Sequence, residues 1–295
     1  MWNGLGVNYK AKQSEWASDA SYFQSIGMKN LRIHIPSTPT PWSEAQNKVW
    51  RDCANYFVNA GFWVTTGVSA PNGTVSGNLT ATRYAEYALS VIEEAKYLQA
   101  NNIKLGAFCI GNELEGVVDG TTLTIPQVIT NLRQLATDVK AVYTLSPITY
   151  SCYDRFLTTY DQWITQGLGG LDLLGIQPYG NIHSSTNSNS VRLGGYAVIQ
   201  KMIVAFGADK CYISEFNLEA NDTNLQKIPD EIRVVEMRKK YAFIKSLGFT
   251  KALVYSWVGY NNANNQFAMK NMDGSFNSMW DVLLTDNGRR TFINK

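Results

Sequence analysis

Short apolar runs recur along the chain near residues 5, 31, 62, 105, 147, 171, 210 and 251. They read GLGVNY, LRIHIP, FWVTTGV, LGAFCIGNE, PITYSCY, LDLLGIQPY, KCYISEFN and KALVYSWV. Several are apolar at nearly every position and rich in β-branched residues, as strands covered on both faces should be. Their mean spacing of about 35 residues leaves room for strand, loop, helix and turn in each repeat. The segments between them carry helical punctuation. Ser14 is placed to cap the first helix and Gly27 to close it in the left-handed conformation. The same glycine-then-strand junction returns at Gly61, Gly207 and Gly248. Thr124 with Pro126 opens another helix. Pro229 opens a further one, with Asp230 and Glu231 in its first turn and Lys239, Lys240 and Lys245 toward its end. Tyr84, Ala88, Val91, Ile92, Ala95 and Leu98 form an apolar stripe at helical spacing, which predicts packing against a sheet.

Eight strand–helix units in one series predict a single (β/α)8 barrel, an α/β TIM barrel spanning residues 1–295 as one domain. A doubly wound open sheet is the competitor, but the first strand–helix turn, NYKAKQSE, holds no GxGxxG. The stretches HSSTNSNS (183–190) and YNNANNQ (260–266) read as long loops after strands, on the face where barrel active sites lie.

Composition narrows the chemistry. With 295 residues, 45% of them hydrophobic, the chain can bury a full core without covalent staples. A net charge of +2 gives no broad basic field, so neither nucleic acid nor an anionic membrane is expected as partner. No apolar run approaches the ~18 residues of a membrane span. The start, MWNGLGVNYKAKQSEW, lacks the basic and apolar regions of a signal peptide. Low charge and abundant Asn, Ser, Thr and aromatics tilt the expectation toward an extracellular enzyme. Three Asn-X-Thr triplets, at 72–74, 78–80 and 221–223, match glycosylation acceptors, a pattern that also arises by chance. Two histidines, His34 and His183, disfavour multi-histidine metal sites and His-dependent triads, and no metal or cofactor is expected. Cys109, Cys152 and Cys211 lie in strand-like runs and read as buried thiols.

Barrel chemistry collects at the carboxyl ends of strands. Those ends supply Arg32 and His34, then Asn112 and Glu113, Tyr153, Gln177 and Tyr179, Glu215 and Asn217, and finally Trp257. Opposed strands would bring Glu113 and Glu215 close across the mouth. Two carboxylates flanking a bond are the equipment of glycoside hydrolysis, one donating a proton and the other attacking the anomeric carbon. Arg32 can hold one as carboxylate, a Tyr179 hydroxyl can donate to it, and Trp257 offers a flat apolar face for a sugar.

The set IGNE on strand four, ISEF on strand seven, Arg on strand two, PY on strand six and SW on strand eight resembles glycoside hydrolase clan A, most closely family 5. The resemblance runs from the first strand to the last helix. It implies that Glu113 is the acid/base and Glu215 the nucleophile of a retaining β-glycosidase. It further implies that Asn112 meets the 2-hydroxyl of the cleaved sugar, that Arg32 and Tyr179 support the nucleophile, and that Trp257 is the sugar platform. This chain departs from the family pattern at Gln177, where a His is usual, and at Val68, Ser69 and Ala70, where a His is common.

Trp42, Tyr153, Tyr260 and Phe267 fall in loops after strands, where they can line a sugar cleft or pack the loops. Trp42, Tyr153, Tyr260 and Gln177 count as candidate substrate contacts. Glu115 and Glu219 read as loop acids, with contacts to sugar hydroxyls as the alternative, and Trp16, Trp50, Trp63 and Trp280 as packing. His34 can bond within the barrel or enter the site. A Schiff-base aldolase is disfavoured because Lys104, Lys210 and Lys251 stand at strand starts. Phosphate-binding barrels are disfavoured because the loops after strands seven and eight read NLEAND and GYNNAN, not glycine-rich. The expectation is a monomeric, endo-acting β-glycanase, a glucanase or mannanase, acting on β-linked oligosaccharide or polysaccharide. A transglycosylase and a catalytically silent carbohydrate-binding barrel are the alternatives.

Overall fold

The computed structural model describes residues 3–10, 12–33, 39–152, 157–178, 196–218, 229–257, 269–270 and 275–286. Eight parallel strands close into a barrel in sequence order, β1 through β8 and back to β1. They are β1 (Leu5–Tyr9), β2 (Asn30–Ile33), β3 (Trp63–Gly67), β4 (Ala107–Asn112), β5 (Ile148–Ser151), β6 (Leu173–Ile176), β7 (Cys211–Phe216) and β8 (Ala252–Val254). Every one falls inside an apolar run of the sequence or starts one residue ahead of it. The helices are α1 (Trp16–Ser25), α2 (Glu44–Asn59), α3 (Ala81–Ala100), α4 (Ile125–Val142), α5 (Leu157–Gln166), α6 (Tyr196–Phe206), α7 (Asp230–Ser246) and α8 (Ser278–Asp286).

The glycine junctions behave as the sequence implies. Gly27, Gly61, Gly207 and Gly248 all have positive φ, and at the first two the next N–H reaches back to close the helix (Met28 to Phe23, Phe62 to Phe57). Thr124 caps α4 in a capping box whose return bond runs from the Thr124 N–H to the Gln127 side chain at 2.9 Å. Ser14 does not cap α1. It sits inside a 3-10 turn, Gln13–Glu15, that leads into the helix, and the N-cap position falls to Glu15. The stripe on α3 packs inward, with Val91, Ala95 and Leu98 fully buried. Trp16, Trp50 and Trp280 are buried, and all four cysteines lie in the interior.

Two strands depart from regular pairing, and both carry a predicted catalytic glutamate near their ends. Between Cys109 and Asn112, β4 advances three residues while β5 advances two, from Thr149 to Ser151. Between Ile213 and Phe216, β7 likewise gains one residue on β8. An extra residue reverses the in–out alternation beyond it. Tyr212 faces inward, its phenol near Arg32, so strict alternation would send Glu215 toward the helices and Phe216 inside. Instead Glu215 reaches Arg32 within the barrel and Phe216 stacks on Tyr241 of α7. The bulges turn Asn112 and Glu215 into the mouth.

Candidate active site

Arg32, at the end of β2, is the junction of the site. Its guanidinium is 5% exposed and forms an ion pair with Glu215. Nη1 also donates to Asn8 Oδ1 at 2.9 Å, and Nη2 donates to Asn112 Oδ1 at 2.8 Å. Burial works most strongly against the Arg32 charge, but Glu215 and the other groups around it together outweigh that cost and hold the guanidinium above its ordinary range. Asn8 is pinned in turn by donating to the Ser214 carbonyl at 3.0 Å, so β1, β2, β4 and β7 meet through one cation.

Asn112 accepts twice on one oxygen, from Arg32 and from Gln177 Nε2 at 2.7 Å. This fixes the amide orientation and, among the described residues, leaves its NH2 group without a partner. The amide thereby keeps a donor in hand beside Arg32. Gln177 itself is fully buried, and its Oε1 has no partner among the described residues.

Glu113 follows β4 in a left-handed conformation, φ 55° and ψ 30°, and is half-buried. Tyr255, half-buried just beyond β8, lies near both glutamates. Burial and then the Glu215 charge push its phenol above the ordinary value, with Arg32 opposing and Glu113 adding to the rise. The carbonyl of Tyr255 accepts from Asn217 Nδ2, which ties the ends of β7 and β8 together.

Several expected site residues stand elsewhere. Trp257 is 1% exposed and belongs to the layer outside the barrel, packed among Phe23, Trp280, Tyr22 and Phe276 with ring centroids 4.7–5.8 Å away. Buried there it has no open face for a sugar, whereas Tyr255, two residues earlier, lies near both glutamates. Trp42 is directed to the outer helices, where its indole N–H donates to Glu94 of α3 at 2.8 Å and its ring packs beside Tyr97. Tyr153, Tyr179, Tyr260, Phe267, His34, His183 and Glu219 lie outside the described residues. Glu115 is no loop acid: it is 2% exposed and bonded to Tyr150 and Trp163. Lys240 is likewise no helix-end surface charge. It is buried, and its ammonium donates to the Pro178 and Asn217 carbonyls at 2.9 and 3.0 Å, bracing the ends of β6 and β7. Asn8 and Tyr255 escape sequence reading because each is a polar group inside an apolar run, and Glu115 and Lys240 are misread because no spacing rule tells a buried charge from a surface one.

Among the described residues, no cluster of three or more His, Cys, Asp or Glu could hold a metal ion. None of the helices described is long and apolar enough to cross a membrane. The arrangement offers an ion-paired carboxylate, a second carboxyl on an opposed strand, an oriented amide donor and a phenol near both acids.

No protein-family model matches the sequence, and no curated protein compared with it matches either. Solved structures do. The GH5_18 protein of Bifidobacterium longum superposes with a TM-score of 0.72 at 14% identity, over 98% of this chain and 79% of its own. An exo-β-1,4-mannosidase from an Opitutaceae bacterium gives 0.69 at 13% identity over 97% of this chain. This chain spans 59% of that mannosidase's length. A glycoside hydrolase family 30 subfamily 8 xylanase from Clostridium acetobutylicum gives 0.63 at 17% identity, covering 99% of this chain and 72% of the xylanase. At these identities the likeness establishes a shared fold: the chain is built as a (β/α)8 barrel similar to those of glycoside hydrolases.

Proposed function

We propose that this protein is a retaining β-glycoside hydrolase of the clan A type, acting within β-linked glucan or mannan chains. The observation that carries the reading is the ion pair of Glu215 with Arg32, opposed by Glu113 at the end of β4, with the Tyr255 phenol near both acids. The pairing presents Glu215 as an oriented carboxylate, the form a nucleophile needs. Glu113 is partly exposed, so a leaving group and a water can reach it in turn. Fold analogy with a mannosidase and a xylanase adds to the reading without deciding it.

Chemistry follows from those positions. A Glu215 oxygen attacks the anomeric carbon while the Glu113 carboxyl gives its proton to the glycosidic oxygen. The carbon–oxygen bond breaks, the leaving sugar departs as an alcohol, and a glycosyl ester remains on Glu215. Glu113, now a carboxylate, takes a proton from water as the water oxygen bonds to the same carbon, and the ester bond breaks. Two displacements at one carbon return the β configuration. The free NH2 of Asn112 is suited to a hydroxyl beside the reacting carbon, where a bond that tightens in the transition state accelerates the step. Tyr255 replaces Trp257 as the aromatic wall next to the sugar.

A panel of β-glucan, β-mannan, xylan and β-galactan, read by product size and by NMR of the first-formed anomer, tests this. The expected outcome is short products from one of them with the β anomer appearing first. A first-formed α anomer overturns the retaining mechanism. Absence of any cleavage overturns hydrolysis, and products longer than the substrate would assign transfer in its place.

A further inference from the structure

We infer that Glu115, Tyr150 and Trp163 form a buried positioning device that holds Glu113 in its working orientation; this rests on Glu113 being the acid/base. Glu113 occupies left-handed backbone space, φ 55°, which a residue with a side chain adopts only when its surroundings impose it. Those surroundings can be named. The Glu113 N–H donates to the Ser151 carbonyl at 2.9 Å. The next N–H, that of Leu114, donates to the Tyr150 hydroxyl oxygen at 2.7 Å. The Tyr150 hydroxyl donates onward to Glu115 Oε2, and Trp163 Nε1 donates to Glu115 Oε1 at 2.6 Å. Three consecutive residues, 113 to 115, are therefore tied to β5 and α5.

The device is dry. Glu115 is 2% exposed, and Tyr150 and Trp163 are fully buried. A carboxylate in that position is costly unless donors meet both oxygens, and here they do. Burial, followed by the Glu115 charge, raises the Tyr150 phenol well above its ordinary range, so it keeps the proton it donates. Gly111 makes room for the ring: an added Cβ there would stand 2.9 Å from Tyr150. An apolar trio could fill the same volume, but it could not fix the Leu114 N–H or the direction of the turn. None of the three side chains is required to touch substrate. They act through Glu113.

Leaving-group dependence separates this role from simple packing. The full-length protein and its Glu113→Gln, Glu115→Gln and Tyr150→Phe variants are assayed on two aryl β-glycosides of the sugar that the unmodified enzyme cleaves. Phenyl is the poor leaving group, needing protonation, and 2,4-dinitrophenyl the good one, needing none. For Glu115→Gln and Tyr150→Phe, kcat/KM on the phenyl glycoside should fall roughly 10- to 100-fold, part of the ~10²–10⁴-fold carried by acid–base catalysis. On the dinitrophenyl glycoside the fall should be at least tenfold smaller. Equal losses on both substrates, or a lowered Tm with the ratio unchanged, overturn the positioning role. Should Tyr150→Phe fail to fold, Glu115→Gln, which keeps the side-chain shape, decides alone. Leaving-group dependence in Glu113→Gln but in neither of the others overturns this inference only. Its absence from Glu113→Gln overturns the acid/base assignment and the inference with it.

Discussion

Arg32 meets three side chains that arrive from three different strands: Asn8 from β1, Asn112 from β4 and Glu215 from β7. Such a junction depends on a planar fork with several donors, which lysine cannot supply. Arg32→Lys keeps the charge but should still lower kcat by ~10²-fold or more, because Asn112 and Glu215 lose their fixed geometry. A steady-state assay on the best substrate of the panel checks this. Tyr255 and Trp257 give a sharper contrast at the same scale. Trp257→Ala should act on stability, costing ~3–5 kcal/mol as a large core truncation and appearing as a lower Tm. Tyr255→Ala should leave the melting point nearly in place and depress kcat/KM about tenfold or more through the lost aromatic contact. Arg32, Asn112 and the two glutamates were legible because charged or amide groups at strand ends are rare and stand out. Tyr255 and Asn8 were not: a tyrosine beside a tryptophan, and an asparagine inside LGVNY, look like packing until the strands are laid side by side.

Elements explain how a correct strand reading can still misplace side chains. The eight strands were legible because several of their runs are apolar at nearly every position and some begin just after a glycine turn, as after Gly27 and Gly61. The bulges in β4 and β7 were not, since an extra residue changes no composition and shows only as a slipped register. They nonetheless decide which way Asn112 and Glu215 point. Close strand approach is similarly hidden. Gly67 ends β3 so near β4 that an added Cβ would stand 1.9 Å from the Cys109 carbonyl oxygen, a backbone atom that cannot rotate away. Gly67→Ala should therefore destabilise the protein by ~1–3 kcal/mol or more, which thermal unfolding would register. An unchanged Tm would show that β3 and β4 can part freely there.

At the scale of the whole molecule, two ion pairs among the described residues have both partners buried, Arg32–Glu215 at the mouth and Arg51–Glu94 in the seam between α2 and α3. In the seam, Glu94 accepts from Arg51 at 2.9 and 3.1 Å, from Asn47 at 3.0 Å and from Trp42. Burial pushes the Glu94 carboxyl above its ordinary range, with Trp42 and Arg51 pulling the other way. The folded state thus binds that proton more tightly than the unfolded chain. The resulting stability is complete below pH ~4.3 and is lost as pH rises through the folded pKa. The stability deficit of Glu94→Gln against the unmodified protein should accordingly shrink as pH rises from about 4 to about 7. A deficit that grows would mean that Arg51 dominates and the carboxyl is held low. The barrel as a whole was legible from the series of apolar runs and the helical punctuation between them. The scarcity of histidine was legible too, and its consequence is now concrete. Gln177, where the resembling family has a His, orients Asn112 through an amide that does not titrate near neutral pH.

A retaining mechanism requires Glu215 to carry a sugar covalently. The most direct measurement is to treat the protein with 2-deoxy-2-fluoro β-glycosyl fluorides of glucose, mannose, xylose and galactose, whose ring fluorine slows release of the intermediate. Intact mass and peptide mapping then locate any adduct. One fluorosugar ester per chain, on the peptide residue Glu215, is the result expected. An adduct on Glu113 or on another residue, or hydrolysis of the natural substrate to the α anomer with no adduct at all, would rule out Glu215 as the nucleophile.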